Sequence, residues 1–274
     1  MIQATCPLTS VQAGMVFQSQ LAPQAGIYTE QAVLDLAERI QPACLQEAFR
    51  RLQADHDLLR TSFTWDDAGL PGQRVHPAAE IPWELHDWRA METRAQEAAW
   101  EARLAADQAE AWDYGRPPLM RCVLVQLGEA CWRLLWSYHH AIADGRAFAA
   151  FVRQLGLHYR AAREGRPACP APGLPFQDYV AWLEARDAAA DSAFWRQALQ
   201  GVPEAPDLGV FRAKAPFGYG TRRFRIAPET AARVARFAED QGISRNVLLM
   251  GAWALLLNRY TGGEDVVFGT ILGT

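Results

Sequence analysis

Residues 119–145 read LMRCVLVQLGEACWRLLWSYHHAIADG. Two apolar runs, Leu119 to Leu127 and Ala130 to Tyr138, are parted only by Gly128 and Glu129, which predicts a β-hairpin. A helix is expected next, from about Arg146 to Arg163. Between the second strand and that helix stand Tyr138-His139-His140-Ala141-Ile142-Ala143-Asp144-Gly145, so a hairpin delivers two adjacent imidazoles to a turn.

Upstream, helix and strand signals alternate. Thr9 with Gln12 three residues later forms a capping box opening a helix through Val11, Met15 and Phe17. Gln31 to Leu36 alternates polar and apolar as a half-buried strand does. Pro42 suits the first turn of a helix whose Leu45, Ala48, Phe49 and Leu52 recur at helical spacing to about Asp55, and Leu59 to Trp65 reads as another strand. Met91 to Ala111 is rich in Ala, Glu and Arg, predicting a long helix with an exposed face, stopped by Pro117 and Pro118.

Downstream, Glu164 to Pro175 holds four prolines and two glycines and is the best linker candidate. Helices are expected near 176–199, 228–241 and 245–260, the last capped by Ser244, with strands at Thr221 to Ile226 and Asp265 to Ile271. Trp182, Trp195 and Trp253, at helical spacing, are expected in the core. The sequence ends just after the final apolar run, which reads as an interrupted domain.

With 274 residues, 50% of them hydrophobic, the chain can bury a sizeable core, which excludes intrinsic disorder. No stretch approaches the ~18 to 20 apolar residues of a membrane span, and no secretory leader is evident, so a cytoplasmic location is expected. A net charge of −4 without a basic run argues against a nucleic-acid partner. Cys6, Cys44, Cys122, Cys131 and Cys169 show no metal or disulfide spacing and are expected to be reduced and mostly buried.

The chemistry concentrates in the histidine pair. Adjacent side chains of a strand point to opposite faces, so only one imidazole can face a given cavity while the other is held in the packing. A neutral imidazole, with an ordinary pKa near ~6.5, can accept a proton from an attacking nucleophile. Asp144 suits three roles that the sequence leaves open: orienting an imidazole, pairing with an arginine, or capping the helix that follows. Gly145 permits a close backbone approach or a positive φ.

The form HHxxxDG resembles the core motif of condensation domains of nonribosomal peptide synthetases, members of the chloramphenicol acetyltransferase-like acyltransferases. Pro7 to Met15 (PLTSVQAGM) and His56 to Phe63 (HDLLRTSF) are similar to the family's first two motifs, and Phe176 to Leu183, Phe194-Trp195, Leu199 to Gly201 and Leu255 to Thr270 resemble later segments in the family's order. The resemblance implies an α/β class, an α+β two-layer sandwich: residues 1–165 as the N-terminal lobe, 166–175 as linker and 176–274 as the incomplete beginning of a second, similar lobe.

For function it implies amide formation in a tunnel between the lobes, by attack of a carrier-bound acceptor amine on a carrier-bound acyl or peptidyl thioester. The partners implied are donor and acceptor peptidyl carrier protein domains and adjacent synthetase domains. Substrates arrive on phosphopantetheine, and the domain itself is expected to bind neither cofactor nor metal. By position, His140 stands at the reacting centre, His139 is held in the lobe, Asp144 is structural and Gly145 leaves room beside the carbonyl. Arg60 is the expected partner of Asp144, since a buried carboxylate needs compensation. Asp55 departs from the family, which has an arginine there, and Arg146 and Phe148 depart just after the motif. A truncated fragment that only docks carriers, an epimerising relative and an acyl-CoA-dependent relative are the alternatives.

Overall fold

The computed structural model describes residues 4–65, 69, 71–167, 174–202, 224–263 and 265–270. They divide into two compact units, one ending at Arg186 and one beginning at Asp187.

The first unit is built on two sheets. Strands β1 (Ala4–Pro7), β3 (Thr61–Trp65) and β4 (Pro71–Val75) form a three-stranded antiparallel sheet in the order β1-β4-β3. Strands β2 (Thr29–Leu36), β5 (Trp83–Asp87), β6 (Met120–Gly128) and β7 (Cys131–His139) form a four-stranded sheet in the order β2-β7-β6-β5. The predicted hairpin is present, with Met120 opposite Tyr138 and Gly128 opposite Cys131. Strand β5 runs parallel to β6, a pairing that requires a crossover, and α3 (Thr93–Ala109) supplies it.

Alternation along β6 and β7 sends side chains to two cores. Cys122, Leu124, Leu134 and Trp136 meet Leu45, Phe49 and Leu52 of α2 (Pro42–Asp55) and Phe151 and Leu155 of α4 (Gly145–Arg163). At the centre, Trp136 packs edge-on against Phe49, ring centroids 4.7 Å apart. Val123, Val125 and Leu135 face the other way, onto Trp100 of α3. The α/β class stands, with α2 and α4 packed on one face of the larger sheet and α3 on the other. Strands buried on both faces read as continuous apolar runs, and these do.

Several local expectations are corrected. A 3-10 turn, Asp57–Arg60, occupies what read as the start of a strand, and β3 begins only at Thr61. Helix α3 ends at Ala109, well before the prolines, with the Glu110 amide bonded to the Asp107 carbonyl. Helix α5 (Phe176–Glu184) is grouped with the first unit, where Val180 is buried and α5 packs on β1. Of the described cysteines, all free, only Cys122 is buried; Cys169 lies outside the described residues.

The second unit contains α6 (Ala188–Ala198), α7 (Pro228–Asp240) and α8 (Arg245–Thr261). Ser244 caps α8, accepting the Val247 amide at 3.2 Å, and Gly262 at φ 69° ends it in the left-handed conformation that favours glycine. Residues 224–226 and 265–270 form no strand, although strands were expected at 221–226 and 265–271, because a strand needs a paired neighbour and no described residue supplies one. Residues 221–223 and 271 lie outside the described residues. Trp195 and Trp253 here, and Trp182 on α5, are 59%, 47% and 54% exposed instead of buried; the rings that touch Trp182 and Trp195, Tyr179 and Phe194, are sequence neighbours and do not enclose them. Among the described residues no helix is long and apolar enough to cross a membrane.

Candidate functional site

The segment from His139 to Gly145 leaves the end of β7 and enters α4, and each of its bends is tied down. The His139 amide donates to the Leu119 carbonyl at 3.0 Å, the His140 amide to the Tyr28 carbonyl at 2.8 Å and the Ile142 amide to the His139 carbonyl at 3.0 Å. Ala141, Ile142 and Ala143 are buried beneath the turn.

Hydrogen bonding assigns both imidazole tautomers. His139 is fully buried, and its Nδ1 accepts the Ala141 amide at 3.2 Å. Nδ1 therefore carries no proton and Nε2 does, donating to Ser19 Oγ at 3.0 Å; that hydroxyl in turn donates to the Met15 carbonyl at 2.9 Å. Burial first, and the neighbouring His140 second, push the His139 pKa down to about 4. His139 is thus a neutral packing element.

His140 is the reverse. It is half-buried, and its Nδ1 lies 2.7 Å from the Ala143 carbonyl, which can only accept, so Nδ1 holds the proton. Nε2 then carries a lone pair, and no described residue bonds to it. One imidazole of the pair is locked in and the other presents a base, in keeping with the alternation of a strand.

The depressed pKa of His139 has a consequence for stability. Between about pH 6.5 and pH 4 the unfolded chain takes up a proton that the folded imidazole refuses, so stability falls as the pH drops through that window. The loss is on the order of 3 kcal/mol by pH 4. Urea midpoints measured from pH 7 to pH 5 should therefore fall more steeply for the wild type than for His139→Asn. Parallel slopes would exclude a buried neutral His139.

Asp144 caps α4, its Oδ1 accepting the Ala147 amide at 2.7 Å, and makes no ion pair with a described residue. The expected pairing with Arg60 is not formed. Buried Arg60 bonds to Asp57, three residues away on the same turn, and to the carbonyls of Gln53 and His76. A partner one turn away costs less ordering than one across the fold. Gly145 is the first residue of α4 and does not have the positive φ that the sequence allowed. A Cβ built on it would meet nothing within 4 Å, so the space beside it is open.

Sequence reasoning missed a buried charge network behind the site. Gln31, Ser137 and Arg121 stand in register across β2, β7 and β6 and converge on Asp107 of α3. Arg121 Nε donates to Asp107 Oδ1 at 2.6 Å, while Ser137 Oγ and Gln31 Nε2 donate to Oδ2 at 2.6 and 2.7 Å. Burial would raise the Asp107 pKa, but these bonds outweigh it and hold the carboxyl below its usual range. The available signal was Arg121 and Ser137, polar residues standing within mostly apolar strands.

Comparison with known proteins bears on the whole chain. Residues 2–274 match the family described as Condensation domain. The chain is similar to a component of linear gramicidin synthase from Brevibacillus parabrevis, 32% identical over 274 residues, 98% of this chain and 5% of that protein. It is also similar to surfactin synthase subunit 3 of Bacillus subtilis (strain 168), 28% identical over 267 residues, 97% of this chain and 21% of that protein. Among solved structures, the first condensation domain of the calcium-dependent antibiotic synthetase, in complex with a substrate analogue, gives a TM-score of 0.77 at 28% identity, covering 96% of this chain and 62% of that one. The chain therefore spans a small part of its curated relatives and less than two thirds of that solved domain.

Proposed function

The chain belongs to the Condensation domain family, and on that footing we propose that it forms the amide bond of a nonribosomal peptide synthetase, with His140 at the reacting centre. The carrying observation is the tautomer of His140: the Ala143 carbonyl holds Nδ1–H and leaves the Nε2 lone pair without a described partner. The acceptor's amine nitrogen attacks the donor's thioester carbonyl carbon, a C–N bond forms, and the C–S bond breaks. The proton lost by the amine passes to Nε2 and from there to the departing thiolate. Atoms and charge balance without a covalent enzyme intermediate.

A thioester is already activated, so holding amine and carbonyl together can supply up to ~7 to 11 kcal/mol of the barrier. His139 and the buried turn fix the backbone from which His140 projects, Asp144 starts α4, and open space beside Gly145 admits the substrate. Residues 1–165 form the N-terminal lobe in this reading, with a second lobe beginning after the linker. Donor and acceptor carriers deliver both substrates on phosphopantetheine, flanked by further synthetase domains.

The test uses the complete synthetase with a donor carrier bearing an acyl thioester and an acceptor carrier bearing an aminoacyl group. Intact-mass analysis should show the acyl mass moving to the acceptor carrier, and no transfer when the acceptor amine is acetylated. Solvent deuterium entering the donor's α-carbon without acyl transfer would instead mark an epimerising enzyme, and transfer from acyl-CoA without a donor carrier an acyl-CoA-dependent one. Carrier binding with no transfer would mark a docking fragment. Each of these three results overturns the proposal.

A further inference from the structure

We propose that Gln12 is a positioning residue for His140, holding the 139–145 turn through the Ala141 carbonyl; the inference rests on the role given to His140 above. Helix α1 (Ser10–Leu21) buries Gln12, Val16 and Ser19 along one face. Ser19 bonds to His139, and Gln12, about two turns earlier on the same helix, reaches Ala141 of the same segment. The oxygen and nitrogen ends of the Gln12 carboxamide do different work. Oε1 accepts the Thr9 amide at 3.1 Å, completing the capping box that starts α1. Nε2 donates to the Ala141 carbonyl at 3.1 Å and lies 3.4 Å from Gln73 Oε1.

A glutamate would serve the capping box as well as a glutamine. Only the NH₂ group can hold a carbonyl, so the identity of this residue is explained by the turn and not by the helix start. Ala141 follows His140 directly, and Ala143, whose carbonyl fixes the His140 tautomer, lies two residues further on. A turn released from Gln12 shifts both the backbone of His140 and the acceptor that orients its ring, and a displacement of ~1 Å can cost ~10²-fold in rate.

Gln12→Glu separates the two roles. It keeps the cap and sets a carboxylate oxygen against the Ala141 carbonyl, acceptor facing acceptor. In the complete synthetase with loaded carriers, turnover should fall roughly 10- to 100-fold with KM for both carriers unchanged. Burial raises the pKa of the introduced carboxyl, and once protonated it can donate again. The ratio of variant to wild-type turnover should therefore rise as the pH is lowered from about 8 to about 6. Thr9→Ala, which removes the cap hydroxyl and leaves the Ala141 bond in place, should lower the melting temperature with little change in turnover per folded molecule.

Wild-type turnover by Gln12→Glu, or a loss that tracks folded fraction with no pH recovery, overturns the inference. If that variant does not fold, Gln12→Met is read in its place. A turnover per folded molecule equal to that of Thr9→Ala overturns the inference, and a markedly lower one supports it. His140→Ala run in parallel tells the two failures apart: normal turnover there removes the role of His140, whereas an inactive His140→Ala beside a fully active Gln12→Glu removes only the role of Gln12.

Discussion

His140→Ala in the complete synthetase is expected to slow acyl transfer by ~10²- to 10⁴-fold, the usual contribution of a positioned acid–base group. Carrier docking and loading should be unaffected, because the substitution removes a ring that no described residue other than Ala143 bonds through its side chain. Stability should change little, since His140 is only half-buried and loses one hydrogen bond, worth ~1 kcal/mol. Intact-mass time courses of the acceptor carrier measure the rate, and thermal melts of the same preparation check the fold. The residual rate reports what proximity alone contributes. Transfer at the wild-type rate from a folded variant would place the reacting atoms away from His140.

Asp107→Asn should produce the largest loss of stability, ~3 to 5 kcal/mol, a substantial share of the ~5 to 15 kcal/mol typical of a domain. Every described group facing the two carboxylate oxygens is a donor: Arg121 Nε, Ser137 Oγ and Gln31 Nε2. An amide sets its own NH₂ against donors on one side, and it leaves the buried Arg121 guanidinium, 4.0 Å above the Trp112 ring, with only the exposed Glu110 carboxylate, 3.7 Å away, as counter-charge. Urea denaturation measures the loss. The double variant Asp107→Leu, Arg121→Met removes both charges and should recover much of it, because a buried pair replaced by apolar groups is often close to neutral. A double variant no more stable than Asp107→Asn would show that the network's worth lies in shape and not in charge compensation.

The HHxxxDG turn and much of the first unit were legible because their signals are local. The Thr9–Gln12 capping box, Pro42 with the apolar spacing through Leu52, and the two runs around Gly128 each state their own structure within a few residues, and the elements formed where these signals stood. Strands β1, β4 and β5 were not legible. Strand β4 contains Pro71 and Gly72, residues depleted in strands, and exists because β1 and β3 pair with it, Ala4 lying opposite Val75. The tryptophans of α5, α6 and α8 failed as core residues for a related reason: helical spacing shows which face is apolar, not whether anything covers it.

Residue order was enough to dictate a hairpin ending in paired imidazoles, and the rule that only one of them could face outward, since a strand must alternate its side chains. Which nitrogen bears a proton was left to the folded chain, through one amide, one carbonyl and one hydroxyl brought in from Ala141, Ala143 and Ser19. So were the partner of Arg60 and the second task of Gln12. Hydrogen bonds turn on differences of a few tenths of an ångström, whether the groups are two residues apart or more than a hundred, and a string of residues carries no such distances.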